Sequence, residues 1–206
     1  MKKTVLYFTG LLLAGFGVAM GSIPGLGTSP ISSLPYVTTF FWPWSFGVAT
    51  VVINLLMLAA QIAILKKRFR FFQLLQLPML VIFGIFIDLG MWLFSMCVPE
   101  NYFFRFLETV LGCFVLAVGI FMQLKAGIVL LPGDNLIRVI ADEYRFRFSS
   151  VKICFDISIS LMALVCSLCV LGNVTGVREG TLISAFLVGY FIRLISRYSS
   201  PFSAKL

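Results

Sequence analysis

Apolar residues run along this chain in blocks too long and too uninterrupted for a half-buried strand or a surface helix. Six of them, about Val5–Ile23, Phe46–Leu65, Leu74–Met96, Leu107–Leu124, Val151–Leu171 and Leu182–Ile195, are long enough or nearly so to cross a bilayer as helices. The hydrocarbon core takes roughly 20 residues of helix to span. Two shorter stretches, about Pro30–Phe41 and Pro132–Ala141, open with proline. Proline suits the first position of a helix, where its missing N–H would have had no partner. These stretches are too short to cross, and two readings stand for them: re-entrant half-helices or interfacial helices.

Composition agrees with a lipid environment. Of 206 residues, 60% are hydrophobic and 12% charged, and the mean hydropathy is +1.05. Soluble domains are usually about 45–50% apolar and about 25% charged, and no water-soluble globule of this length could hide so much apolar surface. The start of the chain, Lys2 and Lys3 before an apolar run, imitates a secretory signal ending near Val18-Ala19-Met20. The run continues past a usual signal core and the rest of the chain is equally membranous, so Met1–Met20 is read as a retained first helix.

The net charge of +8 would suggest nucleic acid as the partner of a soluble protein. Here its distribution along the chain fits the positive-inside rule instead. With the amino terminus in the cytoplasm, six crossings place Lys2 and Lys3, then Lys66, Lys67, Arg68 and Arg70, then Arg138, Arg145, Arg147 and Lys152 on the inner side. Arg193, Arg197 and Lys205 join them. The outer loops carry Arg105 and Arg178, offset by Glu100, Glu108 and Glu179. Both termini are expected in the cytoplasm, and the aromatics Trp42, Trp44, Tyr102, Phe103 and Phe104 read as an outer interfacial belt.

Compared with itself at a shift of 102 residues, the chain places Gly10, Gly17, Met20, Gly25, Pro30, Leu34, Val37 and Phe46 on Gly112, Gly119, Met122, Gly127, Pro132, Leu136, Val139 and Phe148. The alignment has no gap, superposes the two proline-led stretches, and sets Asn54 on Asp156. A shift of about 105 brings Gly84 and Asp88 onto Gly189 and Arg193 further along. Each unit, about 5–96 and 107–197, holds an odd number of crossings, so the second enters the membrane from the opposite face. The expected fold is a single all-α membrane domain over residues 1–206: six transmembrane helices in two inverted three-helix repeats, each with a proline-led short helix.

Candidate chemistry collects at those short helices. Gly25-Leu-Gly-Thr-Ser-Pro30 offers glycines for close backbone approach and Thr28 or Ser29 as a helix cap, with Ser32 in the first turn. Its counterpart carries Asp134 and Asn135. Within the spans, Asn54, Asp88 and Asp156 are polar, and a charge at bilayer depth costs at least about 2.5–3.5 kcal/mol on insertion scales. Asp88 has no cation nearby in sequence and suits a proton or cation site, or a pairing with Arg193. Asp156 lies four residues beyond Lys152, so a salt bridge near the inner interface competes with a functional role. Arg178 and Glu179 stand at the start of the last span, as a gating pair or an ordinary capped helix start.

Cys97, Cys113, Cys154, Cys166 and Cys169 lie in apolar stretches, and the chain has no histidine. The spacing of Cys166 and Cys169 imitates a redox motif but reads as packing on a membrane helix. No phosphate loop, metal cage, catalytic triad or dinucleotide fingerprint is present. Neither an enzyme nor a cofactor or metal is expected.

The Gly-Leu-Gly-Thr-Ser-Pro run at 25–30, its degenerate copy from Gly127 to Asp134, and Arg178-Glu-Gly-Thr-Leu-Ile-Ser-Ala-Phe-Leu-Val-Gly189 resemble the YczE/YyaS/YitT group of bacterial membrane proteins over nearly the whole chain. Members of that group usually follow the proline with an aromatic and an aspartate, where this chain has Ile31 and Ser32. The resemblance implies a bacterial multi-pass inner-membrane protein and leaves the solute open. Two functions stand. One is a secondary transporter or exporter of a small polar or charged solute, with a site near Thr28, Ser29, Ser32, Asn54, Asp88, Asp134 and Asn135. The other is an accessory or scaffold subunit that meets a membrane partner, or a second copy, through small-residue faces such as Gly10, Ala14, Gly17 and Gly21. The lipid bilayer is a partner in both.

Overall fold

The computed structural model describes residues 2–69, 71–98 and 100–199. Met1, Arg70 and Lys205 lie outside the described residues, as does the side chain of Cys97. The described residues hold eight α-helices: α1 (Lys2–Ser22), α2 (Pro30–Thr38), α3 (Phe46–Leu65), α4 (Gln76–Phe94), α5 (Tyr102–Ala126), α6 (Pro132–Tyr144), α7 (Phe148–Cys166) and α8 (Glu179–Tyr198). Six are long and apolar enough to cross a membrane, and short turns lengthen three of these spans, after α3, before α4 and after α7. The protein is therefore a multi-pass, all-helical membrane protein. Large apolar side chains such as Leu56, Ile85, Trp92, Leu161 and Phe186 point outward, and lipid is the solvent that accepts them.

Several helices exceed the apolar blocks that mark them. α5 begins at Tyr102 because the Asn101 side chain accepts a hydrogen bond from the Phe103 N–H at 3.0 Å, an N-cap that hydropathy does not register. α6 runs to Tyr144 rather than Ala141, through Asp142 and Glu143, and ends on a left-handed Arg145. α2 is shorter than the stretch Pro30–Phe41, since the chain leaves the helix after Thr38.

The centre is an antiparallel crossing of α1 and α5 that leaves no room for side chains. A Cβ at Gly10 would lie 2.8 Å from the Gly119 carbonyl oxygen, and one at Gly17 would run into the backbone of Leu116. Without a hydrophobic force between helices in lipid, close backbone approach of this kind is a main source of association. Around that pair, α4 packs on α1 and α8 on α5, while α2 packs on α7 and α6 on α3. α3 meets α4 closely at Gly47 and Gly84. Among the described residues, α7 and α8 share no comparable interface.

Candidate functional site

α6 is a 13-residue helix that lies along α3. Its first turn has N–H groups with no partner inside the helix. One of them, on Gly133, donates to Asn54 Oδ1 at 3.0 Å, so a side chain near the middle of α3 caps α6 from outside. Two turns further along α3, Gln61 donates through Nε2 to the Pro132 carbonyl at 2.7 Å. At the other end of α6, Glu143 is paired with Arg68, just past the end of α3, at 3.0 Å.

The Pro132 carbonyl can only accept, and this orients every amide around it. Gln61 must present its NH2 there, so its oxygen turns the other way and accepts from Asn135 Nδ2 at 2.8 Å and from Gln76 Nε2 at 3.4 Å. Gln76 has then turned its NH2 toward Gln61, and its Oε1 is buried without a hydrogen-bond partner. Gln61 and Gln76 are both fully buried. Beside them opens a cavity of about 270 Å³ between α4, α5 and the start of α6, lined by Gln73, Gln76, Gln123, Asn135 and Arg138 among others.

The start of α2 is built differently. Ser22 donates to Thr28 Oγ1 at 2.7 Å, Ser184 on α8 reaches the Thr28 carbonyl at 3.4 Å, and Ser29 donates to Ser32 at 2.9 Å. Gly27 is held at φ +105°, and a Cβ on it would sit 2.5 Å from Thr181 Oγ1. The Gly180 N–H closes the joint by donating to the Leu26 carbonyl at 2.7 Å. Space here is limited to a cavity of about 10 Å³.

The remaining candidates separate. Lys152 sits between Asp156, at 3.2 Å, and Asp134, at 3.6 Å, so the i,i+4 pair read from the sequence also captures the first-turn acid of α6. Asp88 lies apart from the start of α6: its carboxylate accepts from the Gly47 N–H at 2.7 Å and from the Ser45 hydroxyl at 2.5 Å, and so secures the beginning of α3. Ser45 in turn accepts from the Val48 N–H. Arg193 is exposed on α8. Arg178 pairs with Glu179 at 3.2 Å and donates to the Gly25 carbonyl at 3.3 Å, which ties the last span to the loop before α2.

Of the residues singled out from sequence, Asn54 and Asn135 thus meet at the start of α6, Asn54 through the Gly133 N–H and Asn135 through Gln61, while Thr28, Ser29 and Ser32 form another site at the start of α2. Gln61, Gln76 and Gln123 were not singled out. The available signal was the seven-residue spacing of Asn54 and Gln61, two turns apart on one face of an apolar helix.

Six crossing helices, two short helices with proline at their starts and polar side chains at those starts define a polytopic membrane protein with an internal polar site. The chain belongs to a family of unknown function, DUF6198, whose model matches residues 1–197. Neither a curated protein nor a solved structure matches it.

Proposed function

We propose that the protein is a small secondary transporter or exporter of a polar or charged solute, built as two inverted repeats that rock about a site at the starts of α2 and α6. The observation that carries this reading is a set of contacts repeated with the halves exchanged. Gly10 faces Met122 as Gly112 faces Met20, and Gly17 faces Leu116 as Gly119 faces Ala14. Each contact becomes its counterpart when 102 is added to one residue number and subtracted from the other. The packing of α2 on α7 and of α6 on α3 follows the same exchange, as does that of α1 on α4 and of α5 on α8.

The halves differ where motion needs them to. α3 lies against α4 through Gly47 and Gly84, whereas a Cβ on Gly189, the counterpart of Gly84, would meet nothing within 4 Å. One half closed and the other open is the asymmetry that alternating access exchanges. The capping of α6 near the middle of α3, with its far end at Arg68, supports a half-helix that enters and leaves by one face. That face carries the basic residues of the α3 and α6 ends and is the cytoplasmic one in this reading, with both termini there. A bacterial inner membrane and kinship with the YczE/YyaS/YitT group go with it.

Spin labels at Leu161 on α7 and Phe186 on α8, both outward-facing, test the proposal without knowledge of the solute. Two populated distances in lipid nanodiscs are expected. A single narrow distance, unchanged by any solute, would leave the second reading, an accessory or scaffold subunit. That reading is favoured by the tightly closed start of α2 and by the bare apolar faces of α7 and α8.

A further inference from the structure

The amide relay leaves one half of the site unfinished. Because the Pro132 carbonyl fixes Gln61 and Gln61 fixes Gln76, the Gln76 oxygen cannot be satisfied by turning its amide over. A flip would set its oxygen against the Gln61 oxygen and break the chain. Gln73, one helical turn earlier in the same wall, also has a buried oxygen without a hydrogen-bond partner. Buried carbonyl oxygens in a protein interior are nearly always paired, so two in one cavity wall point to a donor that arrives from outside the chain.

The charge of the cavity points the other way. Its lining includes Arg138 and, among the described residues, no aspartate or glutamate. Asp134, the acid nearest in sequence to the start of α6, is engaged by Lys152. Arg138 holds Asp142 only through Nε, at 3.8 Å, with both side chains well exposed. Such a pair is weak and exchanges readily for a better anion, and a guanidinium binds a carboxylate through two parallel hydrogen bonds. The space, about 270 Å³, is ample for a small organic acid.

We infer that the cavity between α4, α5 and the start of α6 binds a small carboxylate that carries its own hydrogen-bond donors, the class of α-amino and α-hydroxy acids. The carboxylate lies on Arg138 and the ammonium or hydroxyl reaches the Gln76 and Gln73 oxygens, with Asn135 and Gln123 along the wall. The Gln76 and Gln73 oxygens are both sealed from water in this arrangement, so the wall between them and the cavity opens as the solute enters. This assignment rests on the reading of the α6 start as part of a solute path, and it names what travels there.

Equilibrium binding to the protein in lipid nanodiscs, followed by titration calorimetry, tests it with four probes: alanine, lactate, propionate and ethanolamine. Alanine and lactate are expected to bind at least tenfold more tightly than propionate, which lacks the donor, and than ethanolamine, which lacks the carboxylate. Gln76→Leu should bring alanine down to the level of propionate and leave propionate unchanged. Arg138→Gln should abolish alanine and lactate binding. Should Gln76→Leu fold poorly, Gln73→Leu offers the same comparison, with a smaller loss of discrimination expected. Alanine and lactate no tighter than propionate, or full discrimination retained in the glutamine variants, would overturn the assignment. Binding with a single α7–α8 distance keeps this site and removes transport; two distances without binding do the reverse.

Discussion

Ile31 and Gly133, the second residues of the two proline-led helices, face one another: a Cβ built on Gly133 would lie 3.4 Å from Cγ2 of Ile31. The starts of α2 and α6 therefore meet inside the protein, and the two residues are counterparts under the 102-residue shift. The same added Cβ would lie 3.4 Å from Asn54 Oδ1 and 3.5 Å from the Met57 sulfur, all ordinary contact distances. Gly133→Ala is expected to leave thermal stability in detergent nearly unchanged. Gly133→Phe has no space at the junction and should lower the midpoint sharply, by the equivalent of about 1–3 kcal/mol of overpacking.

The α1–α5 crossing gives a larger effect with an internal control. Gly17→Leu and Gly119→Leu each drive a side chain into facing backbone, at Leu116 and Ala14 respectively. Each should cost at least about 3 kcal/mol or abolish the folded yield. A Cβ on Gly21, in the same stripe of small residues, would meet nothing within 4 Å. Gly21→Ala should stay within about 0.5 kcal/mol of the parent, or gain slightly from helix propensity. Steric-trapping or detergent-denaturation curves would show the contrast.

How much of this was legible in the sequence depends on range. The six spans could be read because lipid demands about 20 apolar residues of each, whatever its neighbours do. Their ends were less so: Asn101 extends α5 and Arg178 with Thr181 starts α8 through hydrogen bonds that hydropathy ignores. Asp156 with Lys152 was within reach because the partners are four residues apart on one helix. Gln61 with Pro132 was not, since 71 residues separate them and nothing local shows which face of α3 meets α6. Asp88 illustrates the same limit. An unpaired acid in an apolar run reads as a site for a proton or cation, whereas its partners are a hydroxyl and a backbone N–H 43 and 41 residues away.

That placement makes a prediction about Asp88. Its carboxylate secures the first turn of α3, so Asp88→Ala strands the Gly47 N–H and should cost about 1–3 kcal/mol. Asp88→Asn keeps an acceptor for Gly47 and should lose less than half of that. Equal loss in the two variants, measured by thermal unfolding in one detergent, would show that the charge itself matters there.

Lys152 holds two acids that belong to different helices. Lys152→Met leaves Asp134 and Asp156 facing one another without a cation, and a loss of up to about 3 kcal/mol is expected, reduced from the buried limit because all three side chains are partly exposed. Adding Asp156→Asn should recover at least half of it. A double-mutant cycle reads the coupling directly; simple additivity would mean that the trio contributes nothing as a unit.

In the proposed transport cycle the starts of α2 and α6 are reached in turn from opposite faces of the membrane. Single cysteines at Asn135 and at Ser29, in a background with Cys97, Cys113, Cys154, Cys166 and Cys169 replaced, can be labelled with an impermeant thiol reagent from each side of oriented vesicles. Labelling of Asn135→Cys from the cytoplasmic side with Ser29→Cys protected is expected without solute, and saturating alanine should lower the first and raise the second from the outer side. Labelling of both positions from one face, or reactivity that no solute changes, would rule out alternating access at these helix starts.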